Sequence, residues 1–109
     1  MIKHYILVGQ TPVPCEDTLA WVQWFHTHDR RVRVTQVGPY EVSTVFLGLD
    51  HRHSGEGPPL LFETVAFGCD DLRCEHCSTW LEAETQHERV VEGLRRPGYE
   101  VVQLEPVPL

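Results

Sequence analysis

Basic residues are scarce in this chain: 9 Lys plus Arg stand against 16 Asp plus Glu, a formal net charge of −7 over 109 residues. That shortage disfavours direct nucleic-acid binding, which needs a basic footprint to meet the phosphates. Long apolar runs are missing too. None approaches the ~18–20 residues that cross a bilayer, and MIKHYILVG has too few apolar residues before Gly9 and Gln10 for a signal-peptide core. The expectation is a cytoplasmic protein without membrane contact. No Gly-rich phosphate loop, Ser nucleophile elbow or His-Glu-x-x-His is found, so the enzyme classes with clear signatures drop out. Repeats and low-complexity tracts are absent as well.

What is present suits one globular domain over residues 1–109. Hydrophobic residues make up 41%, enough at this length for a core that needs neither disulfide nor metal. The four cysteines read as free thiols or metal ligands, because cytoplasmic chains rarely hold disulfides.

The chain is organised around Val42 to Gly68. Two apolar runs, EVSTVFLGLDH and PLLFETVAFG, flank the polar loop RHSGEGP, which is the pattern of a β-hairpin with an oversized tip. Before it, Tyr5–Val8 reads as an interior strand and Gly9–Pro14 as a turn. Asp17 reads as the N-cap of a helix with an apolar stripe of Thr18, Trp21, Val22 and Phe25. Trp24 lies off that stripe, where it can serve as a contact anchor or be partly buried under a loop. Arg31–Val37 alternates as a half-exposed strand, placed at an edge because arginines protect edges, and Gly38-Pro39 turns it into the hairpin.

After Gly68, CDDLRCEHC has no apolar period and reads as a loop. Thr79-Trp80-Leu81-Glu82 is a capping box that opens a second helix, which Pro97-Gly98 stops near Arg95 or Arg96. Tyr99–Leu104 is a last strand. The order β-α-β-β-β-α-β predicts an α+β fold: an antiparallel sheet of four to five strands with two helices packed on one face.

Three sets of residues are candidates for function. The second helix directs Trp80, Ala83, His87, Val90, Val91 and Leu94 inward, so His87 falls on a buried face, and Glu63 interrupts an apolar strand. The two could form a hydrogen-bonded pair. With Asp50 and His51 they could make a small acid–base or metal cluster. Cys69, Cys74 and Cys77, with His76 inside the Cys-x-x-Cys pair and His51 or His53 nearby, are a possible zinc set, though only one closely spaced ligand pair is present. Glu84, Glu88 and Glu92 recur every four residues on the outer face of the helix, and Arg96 can relieve only Glu92. Acids are in excess from Glu63 to Glu92, whereas Arg30, Arg31 and Arg33 cluster early.

The phrases VSTVFLGLDH, GPPLLFET and STW-x-EA, followed by His-Glu, resemble a family of small uncharacterised proteins encoded by tailed phages and prophages, especially of actinobacteria. The resemblance covers Val42 to about Arg95 and maps onto Asp50, His51, Phe62, Glu63, Thr64, Trp80, Glu82, Ala83 and His87. It does not include the cysteines, and it implies a setting rather than an activity. In that setting the leading expectation is a non-enzymatic accessory protein of host takeover or anti-defence, comparable to anti-CRISPR proteins. It would bind a host or phage protein through an acidic surface. Its contacts would be the hairpin tip from His51 through Arg52 and His53 to Gly57, with Trp24 and the Glu84, Glu88 and Glu92 ridge. The alternatives are a small metal-dependent enzyme or ligand-binding protein using Asp50, His51, Glu63 and His87, and a phage structural or assembly protein. No cofactor is required, and zinc is the only one the residues suggest.

Overall fold

The structure, a computed structural model, describes residues 3–52, 55–68 and 73–104. Of the residues singled out above, His53 and Cys69 lie outside that set. Among the described residues no helix is long and apolar enough to cross a membrane.

The fold is α+β and antiparallel. The elements in chain order are β1 (Tyr5–Val8), β2 (Thr11–Pro14), α1 (Thr18–Thr27), β3 (Arg31–Val37), β4 (Tyr40–Phe46), β5 (Phe62–Phe67), β6 (Arg73–Cys77), α2 (Trp80–Leu94) and β7 (Val101–Leu104). This is the expected order with two short strands added, β2 where a turn was read and β6 where a loop was read. The five-stranded sheet runs β6-β5-β4-β3-β7, and β1 and β2 form a separate two-stranded sheet.

The β4–β5 hairpin sits at the centre of the larger sheet, as its apolar character predicts. Two other placements differ from expectation. β1 is not interior: it pairs only with β2 among the named strands, and the prolines at 12 and 14 confine β2 to an edge. β3 is not an edge strand, because β7 returns antiparallel along it. The arginines that suggested an edge are accommodated by acids: Arg31 pairs with Asp29 at 2.9 Å, and Arg33 reaches α2.

Alternation along the strands decides which side chains meet α2. Val42, Thr44 and Phe46 on β4 and Phe62, Thr64 and Ala66 on β5 point inward and are buried. α2 lies on this face with Ala83, Gln86, His87, Val90, Val91 and Leu94 buried. The interior divides into two apolar clusters. One joins Val37, Val42 and Ala66 to Val90, Val91 and Leu94, and the other joins Tyr5, Phe46, Leu61 and Phe62 to Ala83. His87 and its threonine neighbours form a polar layer between them.

Both caps are as expected. The Asp17 carboxylate accepts from the Leu19 and Ala20 N–H groups, and Thr79 and Glu82 form a reciprocal capping box. The inward face of α1 keeps Trp21 and Phe25 of the expected stripe, with Trp21 Nε1 donating to the Tyr5 carbonyl, but not Thr18 or Val22. Leu19 and Val22 are exposed, whereas Trp24 turns inward and meets Phe46 edge-on at 5.8 Å. Through Trp24, α1 reaches the same face of the sheet that α2 covers. The opposite face carries Val34, Val45, Val65, Phe67, Val102 and Leu104, and no helix or strand among the described residues packs on it.

Candidate functional site

The register of the central strands settles which of the candidate residues meet. Glu63 pairs with Val45 on β4 and with His76 on β6, and Val65 pairs with Cys74. Because successive strand residues face opposite ways, Glu63, Cys74 and His76 emerge together on the open face. His76 Nε2 lies 3.0 Å from Glu63 Oε2, and the Cys74 thiol donates to the same oxygen at 3.4 Å. The His51 ring, from the long β4–β5 connection, stacks on His76 with centroids 5.7 Å apart and planes 19° apart. Burial pushes the Cys74 thiol up, and the adjacent Glu63 carboxylate adds to the shift.

The expected quartet of Asp50, His51, Glu63 and His87 does not assemble. Glu63 and His87 lie on opposite faces of the sheet, so the proposed His–Glu pair does not form. His87 is fully buried and meets threonines instead: Thr44 Oγ1 is 2.7 Å from Nδ1 and Thr35 Oγ1 is 2.8 Å from Nε2. The neighbouring bonds give this network a direction. Gln86 Nε2 donates to Thr64 Oγ1, Thr64 lies 2.7 Å from Thr44, and Thr44 can then donate to Nδ1. With Thr44 as the donor, His87 is a neutral imidazole whose Nε2–H is donated to Thr35. Burial lowers its pKa to about 4, with the Arg33 charge assisting and Glu88 opposing. This is a satisfied core group, closed to solvent.

Asp50 has a structural task as well. One carboxylate oxygen accepts from the backbone N–H groups of Arg52 and Leu60, and the other holds the Arg52 guanidinium at 2.6 Å. Burial raises the pKa of Asp50, but these donors outweigh it and the carboxyl is held low. Arg52 also donates to the Gly55 and Gly57 carbonyls. The hairpin tip is therefore built around Asp50 and Arg52, and Arg52 is committed within it rather than offered as a contact. Loops of this length gain order from such side-chain-to-backbone bonds.

The zinc set read from the cysteines is also rearranged. β6 is a strand rather than a Cys-x-x-Cys turn, so Cys74 faces outward and Cys77 inward. Burial and the charges of Glu82 and Glu75 push the Cys77 thiol up to about 11, and it donates to the Thr79 carbonyl at 3.9 Å.

On α2, Arg33 lies between two of the three glutamates. It pairs with Glu88 and approaches Glu84 at 3.9 Å, while Trp80 Nε1 also donates to Glu84. Glu92 pairs with Arg95 rather than with Arg96, which turns to backbone carbonyls. The ridge is more neutralised than its spacing implies. Trp24 is half-buried, stacked on His28 as well as against Phe46.

The sequence pattern did not single out Gln86, nor the grouping of Cys74 and His76 with Glu63. Gln86 lies three residues after Ala83 and four before Val90, directly on the buried stripe, and that spacing was the available signal. Cys74 and His76 share a face because they are two apart, but this is visible only once β6 is known to be a strand. No protein-family model matches the chain, and neither a curated protein nor a solved structure matches it.

Proposed function

We propose that this chain is a phage-encoded accessory protein that acts inside the host by binding a protein partner, and that the open face of the five-stranded sheet is its docking surface. One observation carries the reading. Helices cover one face, while the other presents half-buried Val34, Val45 and Val65 beside exposed Phe67 and Val102, which are 49% and 44% accessible. Apolar side chains gathered on an uncovered sheet face mark interaction sites, here interleaved with Ser43, Gln36, Glu41 and Glu63. Two of these are acids, and the chain has a net charge of −7. The matching partner surface is aliphatic at its centre and basic at its rim. This moves the contact away from the α2 ridge, whose glutamates already hold Arg33 and Arg95.

The test is affinity capture from phage-infected host cells, with three forms of the chain compared against the same partner. Phe67→Arg with Val102→Arg should reduce recovery by at least about tenfold, equivalent to about 1.4 kcal/mol. Thermal stability should barely change, since exposed substitutions stay within about 0.5 kcal/mol. Glu84→Lys with Glu88→Lys should leave recovery unaltered. The opposite pattern, with binding lost only on charge reversal, would return the contact to the acidic ridge and overturn this assignment.

A further inference from the structure

We infer that Glu63, Cys74 and His76 form a binding site for a divalent transition-metal ion, of which Zn2+ fits best, with a fourth coordination position open to solvent. The donors come from adjacent strands and face the same way. Their ligating atoms all lie within 4.8 Å of one another. A tetrahedral zinc ion with bonds of about 2.0–2.3 Å needs its ligand atoms roughly 3.3–3.7 Å apart. The separations from Glu63 Oε2, 3.0 Å to His76 Nε2 and 3.4 Å to Cys74 Sγ, approach that spacing.

The donor chemistry narrows the ion. A thiolate and an imidazole disfavour Mg2+ and Ca2+, which take oxygen ligands, and one carboxylate with one sulfur and one nitrogen suits zinc. The hydrogen bonds now joining these side chains are those a metal would replace. On binding, Cys74 loses its thiol proton to solvent and forms the S–Zn bond. His76 supplies the Nε2 lone pair and Glu63 a carboxylate oxygen. The His51 ring stacked on His76 limits the freedom of that imidazole. Three protein donors with one open position is the arrangement of zinc sites that accept an exogenous ligand, and this one sits beside the open face of the sheet.

The structure separates this site from the cysteine run of the sequence, because Cys77 points to the other side of the sheet. The experiment is native mass spectrometry with Zn2+, followed by titration with Co2+ as a spectroscopic probe. It uses the full chain and a version carrying Cys15→Ser, Cys69→Ser and Cys77→Ser, so that Cys74 is the remaining thiol. The expected result is one Zn2+ per chain in both proteins, with a thiolate-to-cobalt charge-transfer band. Loss of an outer-shell partner alone costs about 10–100-fold in metal affinity. Cys74→Ala or His76→Ala, which remove direct donors on an exposed face, should each cost more than about 100-fold while circular dichroism stays unchanged. Zinc binding by the full chain but not by the single-thiol version would overturn the site, as would affinity that survives Cys74→Ala and His76→Ala together. Failure to bind Zn2+ at micromolar concentration would also overturn it.

Discussion

Replacing His87 by alanine is expected to lower the stability of the protein by about 3–5 kcal/mol. Truncating a fully buried side chain of this size leaves a cavity, and large-to-small core changes typically cost ~2–5 kcal/mol. The hydroxyls of Thr35 and Thr44, which now bond to the two ring nitrogens, lose those partners in a buried layer. Each unmet group of this kind costs about 1–3 kcal/mol, less where a neighbour can compensate. Thr44 keeps Thr64, so the two contributions do not simply add. Glutamine is the informative comparison, because its amide offers an acceptor and a donor as neutral imidazole does. His87→Gln should recover more than half of the loss in urea denaturation. A loss below about 1 kcal/mol for His87→Ala would show that the layer repacks without the ring.

The same residue sets a pH dependence. Its pKa is about 4 in the folded protein and 6.5 when unperturbed, so between these values the unfolded chain binds a proton that the folded one does not. Stability therefore falls as pH drops from 6.5 to about 4 and levels off below that, the direction expected for a histidine buried neutral. That difference in pKa corresponds to roughly 3 kcal/mol. Protonating Nδ1 requires Thr44 to turn its hydroxyl away and accept instead, which disturbs the chain of bonds from Gln86. The decline attributable to His87 is the difference in pH profile between the natural chain and His87→Gln. Parallel profiles would refute it.

The elements set by strong periodicity were legible in the sequence. The hairpin, α2 with its capping box and the burial of His87 all followed from spacing. The partners of those residues were not. Reading Glu63 as an acid inside an apolar strand was sound, but a period of two makes the face depend on a register of one residue, and Glu63 lies one step from the inward-facing Phe62 and Thr64. The pairing with His87 failed on that parity alone. β6 was hidden because Arg73-Cys74-Glu75-His76-Cys77 carries no apolar alternation. The edge of β5 supplies the backbone bonds that hold it as a strand, and a polar composition suits an edge. The residue types of the candidate metal site were legible but not their grouping, since Glu63 meets Cys74 from a strand 11 residues earlier in sequence. Among the glutamates, spacing showed repulsion on α2, yet the relief came from Arg33, a residue that only tertiary structure brings close.

Gly38→Ala should cost about 2–4 kcal/mol, and its cause can be isolated. Gly38 is the first of two residues joining β3 to β4, with φ +52, a conformation costing ordinary residues about 1–2 kcal/mol. An added Cβ would lie 2.6 Å from Tyr99 Cγ and 2.8 and 2.9 Å from the two Cδ atoms. These are ring atoms near the backbone, which cannot swing aside as a side-chain terminus can, and such overpacking adds about 1–3 kcal/mol. Tyr99 precedes β7, whose first pair is Val37 with Val101, and Gly38 N donates to the Glu100 carbonyl at 2.9 Å. Displacing the ring therefore loosens β7, an edge strand with Val101 and Val102 both more than 40% exposed. Amide exchange at Val101–Leu104 should accelerate in Gly38→Ala before global unfolding. Because Val102 and Leu104 belong to the open face, partner capture should weaken in step. A double-mutant cycle with Tyr99→Ala separates the two causes: in that background the cost of Gly38→Ala should shrink to the backbone contribution alone. An undiminished cost would assign the whole effect to the turn and leave β7 anchored independently of Tyr99.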